Sequence, residues 1–384
     1  MEQNPDWKNV RTFLPAFWLW SRAIHWVVSF PWIGGFQGMN AQPSASFLDR
    51  FQAGVYLETY WACDFPRSSS GRRAPFLVSH TDLGGVRVNV LSVQAAYVQP
   101  RWEVRTALMA GSYSDQNLAA EPLALRRIME ASLKMYLNRR KTLQAITGIF
   151  PSHIGAETAR GWDCFTLTRS FQAENSPYYE SGIRVQWHST QNPWSGAFLL
   201  LNGWQRSRIE SRFRMPAVGY SIAFQKESWF WASHGFLGPA DPSNPQTFRL
   251  FNNFILGKHI SEAWDGLLVA DVGWAPYVDG GVWWSPCGMV RWRGLSKWAL
   301  AFRMEGYSDP ARVITPSSMT FPLSVAGISL NADWNLAPGI LWRAEWRAMA
   351  APQKIFENSE PKASHVVAGF TTALIIDFSQ TFQR

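Results

Sequence analysis

The chain has 384 residues, of which 15% are aromatic and only 17% are charged. Soluble domains carry about 25% charged residues, and the mean hydropathy of −0.15 excludes a bundle of transmembrane helices. The net charge of +8 comes from lysines and arginines scattered along the chain, often beside acidic residues. A nucleic-acid surface needs clustered cations with interleaved aromatics, so we expect no nucleic-acid partner.

The first 41 residues have the features of a secretory signal peptide. Lys8 and Arg11 precede an apolar stretch over 13–36, after which the chain becomes polar. A basic start followed by an apolar centre predicts a segment that is cleaved from the mature protein. Because Arg22 interrupts the apolar stretch, a retained membrane-anchoring helix is the alternative interpretation.

From residue 50 onward, apolar and polar side chains alternate in segment after segment. Side chains on a strand point to opposite faces with a period of two, so each segment has one apolar and one polar face. Sixteen strands are predicted, at 50–62, 84–98, 101–112, 125–137, 142–150, 179–190, 194–205, 213–225, 227–237, 246–259, 263–274, 282–293, 296–308, 323–335, 339–350 and 364–378.

The connections between these segments alternate in length. Those after even-numbered strands are short, such as 99–100, whereas those after odd-numbered strands are mostly long, such as 64–81, 151–178 and 238–245. This alternation is typical of outer-membrane barrels, which have short periplasmic turns and long external loops. We therefore expect an all-β, transmembrane, antiparallel up-and-down barrel over 50–378, with about sixteen strands and fourteen as the alternative count.

The apolar parity of the last strands is expected to face lipid. In a membrane barrel the outer surface is apolar and carries aromatic residues near both interfaces. The residues assigned to this lipid-facing girdle are Trp298, Phe302, Trp342, Trp346, Phe370 and Phe378.

The polar parity and the long connection 151–178 are expected to line the lumen. We expect this connection to fold inward, with Arg169 and Glu174 as opposed charges across the narrowest point; a structural plug is the alternative. Arginines outnumber acids on strands 12, 13 and 15, which favours anions, unless Arg–Glu neighbours neutralise one another. The residues assigned to the pore lining or constriction are Glu157, Asp163, Arg169, Glu174, Arg184, Arg291, Arg293, Arg303, Glu305, Arg343, Glu345 and Arg347.

Catalysis and cofactor binding have little support in the sequence. Ser152 and His153 are adjacent and would point apart on a strand, so they make a poor catalytic pair. No nucleophile, zinc-protease or phosphate-loop motif is present. The cysteines Cys63, Cys164 and Cys287 have no metal-ligand spacing. We therefore expect no enzyme activity, no cofactor and no metal.

Several segments resemble one known family. GIFPSHIGAE at 148–157, DCFTLTRSFQAENSPYYESG at 163–182 and LLNGWQR at 200–206 closely resemble the putative β-barrel porin-2 (OmpL-like) family. YLETYWACDF at 56–65 and LMAGSY at 108–113 are also similar to it. The resemblance covers most of 50–378, and it implies a porin-type barrel in the outer membrane of a Gram-negative bacterium.

These features predict a channel for passive diffusion of small hydrophilic solutes or ions. Its expected partners are outer-membrane lipid, the diffusing solutes and the barrel-assembly machinery during biogenesis. The alternative is a non-conducting scaffold barrel whose external loops bind a partner or polymer.

Overall fold

The computed structural model describes residues 50–209, 215–241, 244–315, 319, 321–357 and 363–378. Within them, each strand pairs antiparallel with its neighbours in the chain, and the last strand pairs with the first, so the sheet closes. The prediction of a sixteen-stranded all-β barrel is confirmed. The predicted signal peptide lies outside the described residues. In the described part of the chain, no helix is long and apolar enough to cross a membrane.

The sixteen strands agree with the predicted segments to within a few residues at most ends. They are β1 Phe51–Phe65, β2 Arg87–Val98, β3 Trp102–Ala110, β4 Ile128–Tyr136, β5 Leu143–Pro151, β6 Tyr179–His188, β7 Trp194–Leu201, β8 Ala217–Lys226, β9 Trp229–Asp241, β10 Asn244–His259, β11 Trp264–Trp274, β12 Val282–Trp292, β13 Trp298–Asp309, β14 Leu323–Ala337, β15 Ile340–Ala350 and β16 Val366–Asp377. The described helices are short: α1 Ser112–Asn117, α2 Phe171–Glu174, and the 3-10 turns Leu125–Arg127 and Gly161–Asp163.

The alternation of side chains follows the pleat. In β13, Leu300 and Phe302 are exposed on the outer face, whereas Ala301 and Arg303 are buried on the inner face. Of the six residues assigned to the girdle, only Trp342 is half-buried rather than exposed. All six lie on the outer face of the barrel.

The barrel has two different ends. The short-turn end carries the connections β2–β3, β4–β5 and onward to β14–β15, and the long-loop end carries the others. The prediction of a long connection over 238–245 is wrong, because β9 continues to Asp241 and β10 begins at Asn244. Pro239 lies beyond the register of β8, so its missing N–H costs no ladder hydrogen bond there.

The two longest connections at the long-loop end turn into the barrel, and Trp204 and Phe356 of two other connections pack against the same interior cluster. The first loop comprises residues 66–86, between β1 and β2, and the lumen loop comprises residues 152–178, between β5 and β6. Phe76 and Leu77 of the first loop and Phe171 of the lumen loop lie in one hydrophobic cluster with inner-face residues of the strands. The interior is therefore partly filled by the chain itself.

Candidate pore constriction

The lumen loop is bound to the inner wall of the barrel by its backbone. The N–H of Leu167 donates to the side-chain oxygen of Asn331 in β14 at 2.9 Å. The N–H groups of Thr168 and Phe171 donate to the carboxylates of Glu345 in β15 and Glu305 in β13, at 2.6 and 2.7 Å. These acceptors lie on the inner face, so the loop lies inside the barrel at this point.

Apolar side chains explain why the loop packs instead of remaining in water. Phe165, Leu167 and Phe171 are fully buried or nearly so. Phe165 shares a cluster with Val269 and Cys287 of the wall. Burying a side chain of this size contributes about 1.5–3 kcal/mol relative to leaving it exposed. The loop therefore has enough apolar surface to fold against the wall.

The carboxylate of Glu58 in β1 joins the two inward loops. Its side chain is fully buried and accepts hydrogen bonds from His80 Nε2 of the first loop at 2.7 Å and from the N–H of Gly161 at 2.9 Å. Tyr56 Oη and Asn89 Nδ2 also donate to it. Four donors satisfy a buried charge that would otherwise be costly.

Arg343 of β15 binds the deepest part of the lumen loop. Its terminal nitrogens donate to the carbonyl oxygens of Gly161, Cys164 and Phe165, and its Nε contacts Asp333 at 2.6 Å. A guanidinium has five donors and no acceptor, so clustered carbonyls of a folded loop suit it. Arg343 is thus a structural anchor within the lumen.

Arg303 of β13 has the same role further along the loop. It donates to Thr166 Oγ1 and to the carbonyl oxygen of Thr168, both at 2.6 Å. It also pairs with Glu345 at 2.9 Å and with Glu305 at 3.0 Å. Wall and loop therefore form a continuous buried network of hydrogen bonds.

The remaining arginines of this wall are also paired. Arg291 contacts Asp333 at 2.7 Å and Arg347 contacts Glu305 at 2.8 Å. Closer to the short-turn end, Arg293 contacts Asp265 at 2.6 Å. The arginines of this wall are therefore paired with neighbouring acids, and they do not form a row of unpaired cations.

The expectation that Arg169 and Glu174 oppose each other across an opening is wrong. Arg169 is fully buried and donates to the carbonyl oxygens of Thr158, Leu167 and Ala159 within its own loop. Glu174 accepts from the backbone N–H groups of the first loop instead, and burial raises its pKa to about 7. Backbone groups that come close when the loop folds satisfy both side chains, and sequence spacing does not show them.

The other predicted site residues also hold the loop in place. Glu157 accepts from the N–H and the hydroxyl of Ser170, and Asp163 contacts Arg160 at 3.3 Å. Arg184 of β6 donates to the carbonyl oxygen of Pro151 at 2.9 Å. The structure thus brings most of the predicted residues of loop and wall together as anchors of the loop, whereas Arg184 and Arg293 bind partners in the wall.

His153 is an anchor that sequence reasoning does not identify. Its Nδ1 lies 2.8 Å from Glu180 of β6 and its Nε2 lies 2.9 Å from the carbonyl oxygen of Gly235 in β9. In the sequence, His153 stands beside Ser152 and suggests only a poor catalytic pair. The density of polar residues in this segment is the signal for such anchoring.

Inner-face side chains differ in exposure along the barrel axis. At mid-height, inner-face side chains such as Leu199, Ser221 and Asn253 are buried. Near the short-turn end, Lys134 and Gln186 are partly exposed on the inner face, whereas other inner-face residues there are buried, among them Glu103, Gln144 and Asp265.

Comparisons with known proteins agree with this architecture. Residues 50–378 match the model of the family described as putative beta-barrel porin-2, OmpL-like. No curated protein matches the sequence significantly.

Solved structures of outer-membrane proteins have a similar fold. The anion-selective porin from Comamonas acidovorans aligns with a TM-score of 0.55 at 9% identity, covering 85% of this chain and 99% of that chain. The outer membrane channel DcaP of Acinetobacter baumannii gives 0.53 at 11% identity, over 85% and 96% of the two chains. OprB of Pseudomonas putida gives 0.53 at 9% identity, over 86% and 94%. Because the family match spans the whole barrel, the chain belongs to this OmpL-like family of outer-membrane β-barrel porins.

Proposed function

We propose that the protein is a narrow diffusion channel for small hydrophilic solutes or ions, with the lumen loop setting its cross-section. A barrel of about sixteen strands is wide enough to enclose an aqueous channel. The observation that carries the proposal is the lumen loop itself, which is bound on the inner wall of the barrel through Asn331, Glu345 and Glu305. Membership of a porin family supports it.

In the proposed channel, the wall formed by β12–β15 contributes little to the preference for anions or cations. Four arginines, Arg291, Arg303, Arg343 and Arg347, are bound there by the three acids Glu305, Asp333 and Glu345. The arginines exceed the acids by one charge, but all seven side chains are buried and paired, so the net field at a passing ion is small. A preference for anions, if present, must come from elsewhere in the lumen.

We also propose that the short turns face the periplasm and that the barrel-assembly machinery inserts the chain into outer-membrane lipid. The exposed aromatic residues Phe370 and Phe378 at the outer face of the last strand support this. The proposed signal peptide over 1–41 would deliver the chain to the periplasm. N-terminal sequencing of the membrane-extracted protein tests it: a start beyond residue 40 is expected, and recovery of Met1 would contradict it.

The second candidate function is a non-conducting scaffold barrel. The burial of inner-face residues at mid-height, together with a loop fixed by buried charges, favours it. Swelling of protein-containing liposomes in arabinose or in potassium chloride separates the two candidates. The channel proposal predicts swelling in both solutes, and swelling in neither would establish the scaffold candidate in its place.

A further inference from the structure

Exposed cations are concentrated in one sector of the short-turn end. The β2–β3 turn carries Arg101, and the β4–β5 turn carries Arg139, Arg140 and Lys141, all four exposed. The N–H of Tyr136 donates to the carbonyl oxygen of Arg101 at 2.9 Å, which holds the two turns side by side. Within the residues that the structure describes, none of the four cations forms an ion pair. Lys141 Nζ lies 4.8 Å from the centroid of the Tyr136 ring, and all four side chains remain exposed to a ligand.

Two further cations lie next to these turns on the inner face of the barrel. Arg105 in β3 and Lys134 in β4 lie on the inner face, with 38% and 19% of their side chains exposed. Both bind one carboxylate, that of Glu103, which Lys134 Nζ approaches to 3.0 Å. Glu130 of β4 lies on the same face and also acts on the charge of Lys134, so two acids balance the two lumen-facing cations, and the excess positive charge belongs to the four cations of the turns. The bond to Glu103 uses Nε of Arg105, which leaves the two terminal guanidinium nitrogens for another partner.

These residues together form what we call the basic sector. It has six cations and, even counting Glu130 of β4, only two acids, which leaves an excess of four within the chain's net charge of +8. Other short turns carry fewer cations: Lys226 stands beside Glu227, and in the β12–β13 turn Arg293 is paired with Asp265, which leaves Lys297 as a single exposed cation. The members of the basic sector are Arg101, Arg105, Lys134, Arg139, Arg140 and Lys141, with the acids Glu103 and Glu130.

We propose that the basic sector binds small polyanionic solutes, those carrying two or more carboxylate or phosphate groups, at the short-turn end of the barrel. Arginine guanidinium groups bind such oxygens in a bidentate manner. A cluster of one sign around a low-dielectric opening raises the local concentration of oppositely charged solutes. The proposal rests on the proposed channel function, because it names the solutes that the channel would favour.

The position of the sector favours a solute over a lipid headgroup as the ligand. Arg105 and Lys134 face the lumen, whereas lipid reaches the outward-facing Trp102 and Met135 of the same two strands. Phosphates of lipids could still bind the four rim cations. Measurement in bilayers of zwitterionic phosphatidylcholine removes that source of phosphate.

The test compares two variants with the same loss of charge. Arg139→Gln combined with Arg140→Gln removes two cations from the basic sector, and Lys226→Gln combined with Lys297→Gln removes two exposed cations from other short turns. All four positions are exposed, so both barrels should fold. The readouts are the chloride-to-potassium permeability ratio in phosphatidylcholine bilayers at 0.1 M salt, and calorimetric titration of detergent-folded protein with inorganic pyrophosphate.

We expect a chloride-to-potassium permeability ratio above one in the wild type. This ratio should fall severalfold in the basic-sector variant and stay unchanged in the control variant. Pyrophosphate binding should weaken in the same variant alone. Equal ratios in all three proteins, or equal pyrophosphate affinity, would overturn the proposal. If no protein conducts, the channel function fails, and the titration alone decides the binding site: binding lost only in the basic-sector variant would support it, and absence of binding to the wild type would overturn it.

Discussion

The carboxylate of Glu58 accepts a hydrogen bond from the backbone N–H of Gly161 at 2.9 Å, across 103 positions of sequence. A strand residue close to the start of the barrel thus fixes the segment of the lumen loop that also binds Arg343. Because His80 of the first loop donates to the same carboxylate, one acidic side chain binds both inward loops.

Substituting Glu58→Ala should release both loops without opening the barrel. The substitution removes the carboxylate that these hydrogen bonds share, and it leaves several buried donors unpaired at a cost of about 1–3 kcal/mol for each. Limited proteolysis should then cut within residues 152–178 much faster than in the wild type. The control is Thr59→Val on the opposite face of β1, whose side chain contacts Leu374. Equal protection of the loop in both variants would show that Glu58 does not hold it.

Replacing Arg303 alone should lower the free energy of unfolding more than replacing it together with its partner Glu345. Arg303→Met leaves the buried carboxylate of Glu345 without its nearest cation, and breaking a buried pair costs about 3–5 kcal/mol. Adding Glu345→Gln should restore some of this loss. Urea unfolding of the single and double variants measures the coupling, and strictly additive effects would mean that the pair is not coupled in the folded protein.

The contact between the two inward loops should depend on pH through Glu174. Burial raises the folded-state pKa of its carboxyl group to about 7 from an ordinary value of 4.5. For an acid whose pKa is raised, the folded state is favoured below pH 4.5 and loses stability as the pH rises to about 7. One unit of pKa corresponds to about 1.4 kcal/mol. Urea midpoints should fall between pH 5 and pH 8 in the wild type and change less in Glu174→Gln; identical profiles would contradict this.

A substitution by a charged residue should impair folding on the outer face of the barrel and be tolerated on the inner face. Leu300 is 48% exposed on the outer face of β13, and an arginine there should cost about 2–4 kcal/mol if the site lies at mid-bilayer. Gln94 is half-exposed on the inner face of β2, so Gln94→Arg serves as the matched control. Folding yield into lipid vesicles should fall only for Leu300→Arg, and equal yields would contradict the assignment of the two faces.

The strands could be predicted because a period of two is a local property, readable in segments such as Trp298–Asp309. The short β9–β10 connection could not be predicted, because the prolines of this segment indicate a loop. Only the structure shows that β8 does not pair with the last residues of β9, so that a proline there removes no hydrogen bond between these two strands. The role of Arg169 depends on carbonyl oxygens that become neighbours only after the loop folds. The basic sector likewise unites Arg101 and Arg140, which only the pairing of β3 with β4 brings together.

In the proposed function, the lumen loop narrows a channel. The single-channel conductance of a variant lacking residues 158–172 tests this role of the loop most directly. This deletion removes the groups that bind Glu58, Arg303, Glu305 and Glu345, while leaving the strands intact. Heat-modifiable migration on gels would verify that the barrel remains folded. We predict a clearly larger conductance than that of the wild type in planar bilayers; an unchanged conductance in the folded variant would contradict the claim.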